Sequence, residues 1–128
     1  MQAASNLERI ADHAHRIAQI AREYNCTLAD DLKEELMDME VQLCGFIDDA
    51  ISYLLQTNSD KANEMIDLIR EIQKSAARIT VTSDNLSKSE MLERLVLAAS
   101  LERMFDYIMN IGELTINLSH STKQAEKG

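Results

Sequence analysis

LERMFDYIMNIGELTINL, residues 101–118, repeats the outline of LERIADHAHRIAQIAREY at residues 7–24. In register, five pairs are identical: Leu7/Leu101, Glu8/Glu102, Arg9/Arg103, Asp12/Asp106 and Ile17/Ile111. The apolar positions define a helix in each copy. Leu7, Ile10, Ala14, Ile17, Ala21 and Tyr24 recur at spacings of three and four, as do Leu101, Met104, Ile108 and Ile111. A shared core pattern would need only those residues. The repeated acids and arginines require a separate reason.

Helical spacing locates the acids. At about 100° per residue, Glu8, Asp12, His15 and Gln19 form a polar stripe nearly opposite the apolar one. Glu102, Asp106, Asn110 and Glu113 form the matching stripe, flanked by Leu95, Phe105 and Met109, which predicts acids that are only partly wet. Two readings stay open. In one, the stripes are solvated faces whose acids repel mildly and are offset by Arg9 and Arg103 at a few tenths of a kcal/mol. In the other, two carboxylates one turn apart offer oxygen ligands to a hard or borderline cation.

The rest of the chain is also helical. It has no proline and three glycines, Gly45, Gly112 and Gly128, so little interrupts a helix. A second stripe runs through Leu32, Leu36, Met39, Leu43, Phe46, Ala50 and Leu54, and a third through Ala62, Ile66, Ile69, Ile72, Ala76 and Ile79. Thr27 with Asp30, Asn58 or Ser59, and Ser87 with Glu90 supply the capping signals between them. The last helix is expected from about Lys88 to Leu118, with residues 121–128 a frayed tail. Similar lengths and short links predict an antiparallel up-down-up-down four-helix bundle within residues 1–120. MLERLVLAASL, residues 91–101, is apolar nearly all round, which places it centrally or under a partner.

Composition excludes several functions. The net charge of −9 opposes a phosphate backbone, so no nucleic acid is expected as a partner. Most of the excess lies in residues 30–57, where eight acids stand against one lysine. Cys26 and Cys44 form no metal or disulfide framework, and no apolar leader or membrane span is present, which predicts a soluble cytoplasmic chain. Asp12 and His15 have the spacing of di-iron helices, but Met109 holds the matching place in the second copy. His13 and His120 read as exposed polar residues, and the methionines as core filler. No phosphate loop, nucleophile elbow or Ser/His/Asp set appears, so the chain is not expected to be an enzyme.

The doubled motif resembles the Leu-Glu-Arg-Ile-Gly-Asp-His-Ala-x-Asn-Ile-Ala-Glu signature of PhoU proteins. The first copy matches at Leu7, Glu8, Arg9, Ile10, Asp12, His13, Ala14, Ile17 and Ala18, and the second at Leu101, Glu102, Arg103, Asp106, Asn110, Ile111 and Glu113. The resemblance makes residues 30–118 one three-helix repeat and residues 1–25 the closing helix of a preceding one. It implies a PhoU-like regulatory role in phosphate transport or signalling, exerted by binding a transporter or sensor, and it extends to the soluble domain of a sodium/phosphate cotransporter, tethered at the inner membrane. It also assigns a divalent or ferric metal ion to Glu8, Asp12, Glu102 and Asp106. The chain departs from the signature where Ala11 and Phe105 replace its glycine, Tyr107 its histidine and Arg16 its asparagine. Acids from a further helix would come from Glu64, Asp67 or Glu71. The chain is either a piece of a larger protein or a homodimer that completes the bundle. The competing readings are a carboxylate-rich metal-storage or redox bundle and a structural dimerisation bundle.

Overall fold

In a computed structural model, the described backbone comprises residues 2–23, 30–76 and 87–127, with side chains described for 4–16, 37–74, 87–88, 91–92 and 94–122. Four helices account for nearly all of it: α1 (Gln2–Glu23), α2 (Asp30–Gln56), α3 (Ser59–Ala76) and α4 (Lys88–Lys127). No strand occurs among the described residues. Tyr24, Cys26, Thr27 and Ile79 lie outside the described residues, as do the side chains of Ile17, Ala21, Leu32, Leu36, Ala76 and Glu90.

α4 is the axis of the molecule. At 40 residues it is about 60 Å long, and α1, α2 and α3 all pack against it. Among the described residues α1 meets little besides α4, whereas α2 also packs on α3. α1 and α4 run in opposite directions. Arg9 and His13 meet Tyr107, while Ser5 and Asn6 lie beside Glu113 and Asn117. α3 is likewise antiparallel to α4, since Gln73 reaches Glu102 and Asp106 while Ile66 abuts Gly112.

The turn from α2 to α3 shows how two helices join without a loop. Thr57 adopts φ 53°, and its N–H donates to Leu54 O at 3.2 Å, while Asn58 N–H donates to Tyr53 O at 2.9 Å. These two bonds satisfy two of the last four carbonyls of α2, with Thr57 where glycine is usual. A β-branched residue in the left-handed region is strained. Asn58 then caps α3, its Oδ1 accepting from Lys61 N–H at 3.2 Å. Asp60 in the first turn and Lys74 in the last suit the dipole of α3.

The core is built from the predicted stripes of α2, α3 and α4. Met39, Leu43, Ala50, Ala62, Ile66, Ile69, Leu101, Met104, Ile108 and Ile111 are all buried. Met65 joins them from α3. Phe105, expected to flank the acids, is the largest fully buried side chain among the described residues, while Glu102, Asp106 and Glu113, expected to be only partly wet, are exposed. Because α4 has neighbours on several sides, its buried arc spans about 160° and takes in Phe105. Gly112 lets α3 come close: a Cβ there would meet Ile66 Cδ1 and Met65 Cε at 3.1 Å.

α4 does not stop at Leu118 but continues to Lys127. The buried line Ser100, Met104, Ile108, Ile111, Thr115 and Ser119 keeps helical spacing, with small hydroxyl residues at both ends. Thr115 Oγ1 is satisfied by Ile111 O at 3.2 Å, and Thr122 Oγ1 donates to Leu118 O at 2.9 Å. A hydroxyl bonded to its own helix can occupy a core position, as Thr115 does. In α1 the expected core residue Ala14 is exposed, and Ile10 is buried, with Leu7 partly buried.

Candidate functional site

The two copies of the repeated motif pack against each other, one on α1 and one on α4. His13 and Tyr107, which hold equivalent places in the copies, stack with ring centroids 5.8 Å apart and planes 29° apart. The Arg9 guanidinium carbon lies 5.6 Å from the Tyr107 ring centroid. Its counterpart Arg103 in turn lies close enough to His13 to oppose protonation of the imidazole. Arg9 thus lies over the Tyr107 ring, whereas Arg103 acts on His13 through its charge. This gives Arg9 a structural reason: it presents its cation to the Tyr107 ring of the other copy.

His13, expected to be exposed, is half-buried, and its Nδ1 is buried without a hydrogen-bond partner. Burial pushes its pKa below 6.5; Arg103 and Arg16 add to that, and Asp12 opposes it. The signal for this placement was present in the spacing. His13 follows Ile10 by three and Asn6 by seven, so it shares their inward face. His15 and His120 are exposed.

The four acids are arranged differently. Glu8, Asp12, Glu102 and Asp106 are all exposed. Glu8 and Asp12 sit on the side of α1 roughly opposite Ile10 and His13, so they point away from α4. Glu102 and Asp106 border α3, where Gln73 Nε2 donates to Asp106 Oδ1 at 2.9 Å and to Glu102 O at 3.4 Å. Each pair lies one turn apart on its own helix, but the pairs do not converge. Among the described residues no group of three or more His, Cys, Asp or Glu side chains is placed to hold a metal ion. Of the local candidates on α3, Glu64 pairs with Lys61 at 3.3 Å and Glu71 with Lys74 at 3.0 Å, both exposed. Asp67 is exposed as well.

Gln73 is the residue that sequence reading missed. It lies seven after Ile66, on the inward side of α3, and a polar side chain there signals a cross-helix contact. A cleft of about 360 Å³ opens between the start of α1 and the second half of α4, lined mainly by Ser5, Arg9, Asn110, Glu113 and Asn117. Three of these, Arg9, Asn110 and Glu113, are matching positions of the motif.

No family model matches the chain, and no solved structure matches it. Among curated proteins, a phosphate-specific transport system accessory protein PhoU homolog of Clostridium acetobutylicum is 28% identical over 120 residues. That alignment covers 89% of this chain and 55% of the relative, so the chain spans about half the relative's length. The relative is named as an accessory protein of a phosphate-specific transport system. Among the described residues no helix is long and apolar enough to cross a membrane.

Proposed function

We propose that this chain is a PhoU-like regulatory domain in phosphate transport or phosphate signalling, working by docking on a transporter or sensor and not by catalysis. The observation that carries the reading is the doubled motif, whose two copies clasp each other across α1 and α4. The likeness to the PhoU homolog, over most of this chain, supports it. In this reading the four helices form an up-down-up-down bundle, active at the cytoplasmic face of the membrane. The test is in-frame deletion in a cell that carries the chain, with phosphate uptake and phosphate-responsive transcription measured at low and high phosphate. Loss of the difference between the two conditions is expected, and unchanged regulation sinks the reading. Membrane-spanning segments encoded in the same reading frame would make the chain the soluble domain of a sodium/phosphate cotransporter; a free-standing frame would make it an accessory protein.

Two finer assignments belong to the same proposal. A divalent or ferric ion is assigned to Glu8, Asp12, Glu102 and Asp106. The geometry suits two separate carboxylate pairs more than one centre, and such cations take more ligands than a pair provides. The remaining ligands would therefore come from water or another chain. Elemental analysis of protein prepared without chelator, beside Glu102→Ala/Asp106→Ala, tests this; no metal in either protein sinks it. Homodimerisation is assigned to the exposed apolar residues Met91, Leu92, Leu95 and Val96 at the start of α4. Sedimentation showing a monomer at all concentrations would exclude it.

A further inference from the structure

α2 is apolar on two opposite sides, and only one of them is covered. Its inner side carries Met39, Leu43, Phe46 and Ala50 into the core. Its outer side carries Met37, Val41 and Leu55, which are 65%, 74% and 81% exposed, together with exposed Cys44. At about 100° per residue these outer residues fall within a stripe about 60° wide, roughly opposite the inner one. An exposed apolar stripe of this kind is an interaction surface more often than an accident of composition.

The charge around the stripe says what fits it. Asp48 lies within it, Glu40 borders one edge, and Asp38 and Asp49 border the other, all exposed. No cation lies on α2 after Lys33, and residues 30–57 carry a net charge of −7. Gly45 stands beside the stripe with nothing within 4 Å of where its Cβ would be, so a second backbone can approach closely there. A surface of apolar residues interrupted by Asp48 and edged by further acids repels anionic membrane and nucleic acid and suits an apolar segment bearing lysine or arginine.

We infer that the outer face of α2, from Met37 to Leu55, is the docking surface for a basic amphipathic helix of a partner protein. A helix of that chemistry lays its apolar side on the stripe and its cations against Asp38, Glu40, Asp48 and Asp49, the helix-on-groove mode of recognition. The inference rests on the docking reading above for the existence of a partner. It differs from that reading in naming the surface and the partner's chemistry.

The test titrates the ¹⁵N-labelled full chain with a synthetic helical Leu/Lys peptide, beside a Leu/Glu peptide of identical pattern. Saturable amide shifts confined to the outer face of α2 are expected with the first peptide and none with the second. Val41→Ser/Leu55→Ser and Asp48→Asn/Asp49→Asn should each weaken binding about tenfold, with helicity unchanged by circular dichroism. Shifts centred elsewhere overturn the inference, as does a loss confined to the charge variant, which would indicate counter-ion attraction alone. Self-association abolished by Val41→Ser/Leu55→Ser also overturns it, by giving the face to a second copy. Phosphate regulation lost on deletion but intact in both variants would overturn this inference and leave the proposed function standing.

Discussion

α4 meets α3 and α1 in two different ways. Toward α3 it is close-packed: Phe105 and Ile108 are buried, Ile69 faces them from the same core, and Gly112 removes a side chain that would touch Ile66 and Met65. Toward α1 the contact is a clasp of rings and cations, with Arg9 and His13 against Tyr107 and Arg103 and a polar cleft alongside. The α3 interface rests on close apolar packing, while the α1 interface adds to the apolar contacts of Ile10 and Leu7 an aromatic–cation contact worth about 1 kcal/mol. The lesson is that the motif's repetition serves the ring and cation part of the α1 contact. The apolar packing follows from ordinary helical periodicity, and the clasp needs particular residues in equivalent places.

That contrast breaks most sharply at Phe105. Phe105→Ala empties the largest buried site and should cost about 3–5 kcal/mol, seen as a lower urea midpoint. A loss below about 1 kcal/mol would mean that the α3 side is not the main core. Gly112→Val should cost about 1–3 kcal/mol, because Ile66 and Met65 must shift. If it stabilised the protein, the close approach of α3 would be refuted.

Tyr107→Leu keeps bulk but removes the ring from Arg9 and His13, and should cost about 1 kcal/mol. Hydrogen exchange should then quicken in α1 while α3 is unchanged; equal quickening in both would make them one cooperative unit. Gly45→Ala, in open space on α2, should raise stability by about 0.5–1 kcal/mol, the opposite sign from Gly112→Val. A destabilising result would show that the outer face of α2 is already covered.

The smallest effect is the pH dependence of the clasp. Burial, then Arg103 and Arg16, hold His13 below 6.5 against the pull of Asp12. The unfolded chain therefore takes up its proton at a higher pH than the folded one. The His13 contribution is fully present above 6.5 and is lost as the pH falls below it toward the lowered folded value. His13→Gln should flatten that part of the stability curve, and an unaltered slope in the variant would remove His13 from the clasp's energetics.

Most of the core was legible because each stripe repeats at helical spacing. Met39, Leu43 and Ala50, or Ala62, Ile66 and Ile69, needed nothing beyond counting. The reading went astray where a position's environment depended on a neighbour. Phe105 looked like a flank of the acids until a second helix was found over it. Ala14 looked like core, but α1 turns His13 toward α4 instead. Ser119 lay beyond the expected helix end at Leu118, yet it is buried in line with Thr115.

The sequence by itself determined that the chain is helical, where α2, α3 and α4 bury their central stripes, and that one motif occurs twice. Those properties are periodic and local, so composition and spacing suffice to express them. Only the tertiary structure decided which motif residues meet. Arg9 and His13 of the first copy meet Tyr107 of the second, while the acids lie outside the clasp in two separate pairs. Periodicity orients a side chain about its own helix axis, but the direction from which another helix arrives is set by how the whole chain packs.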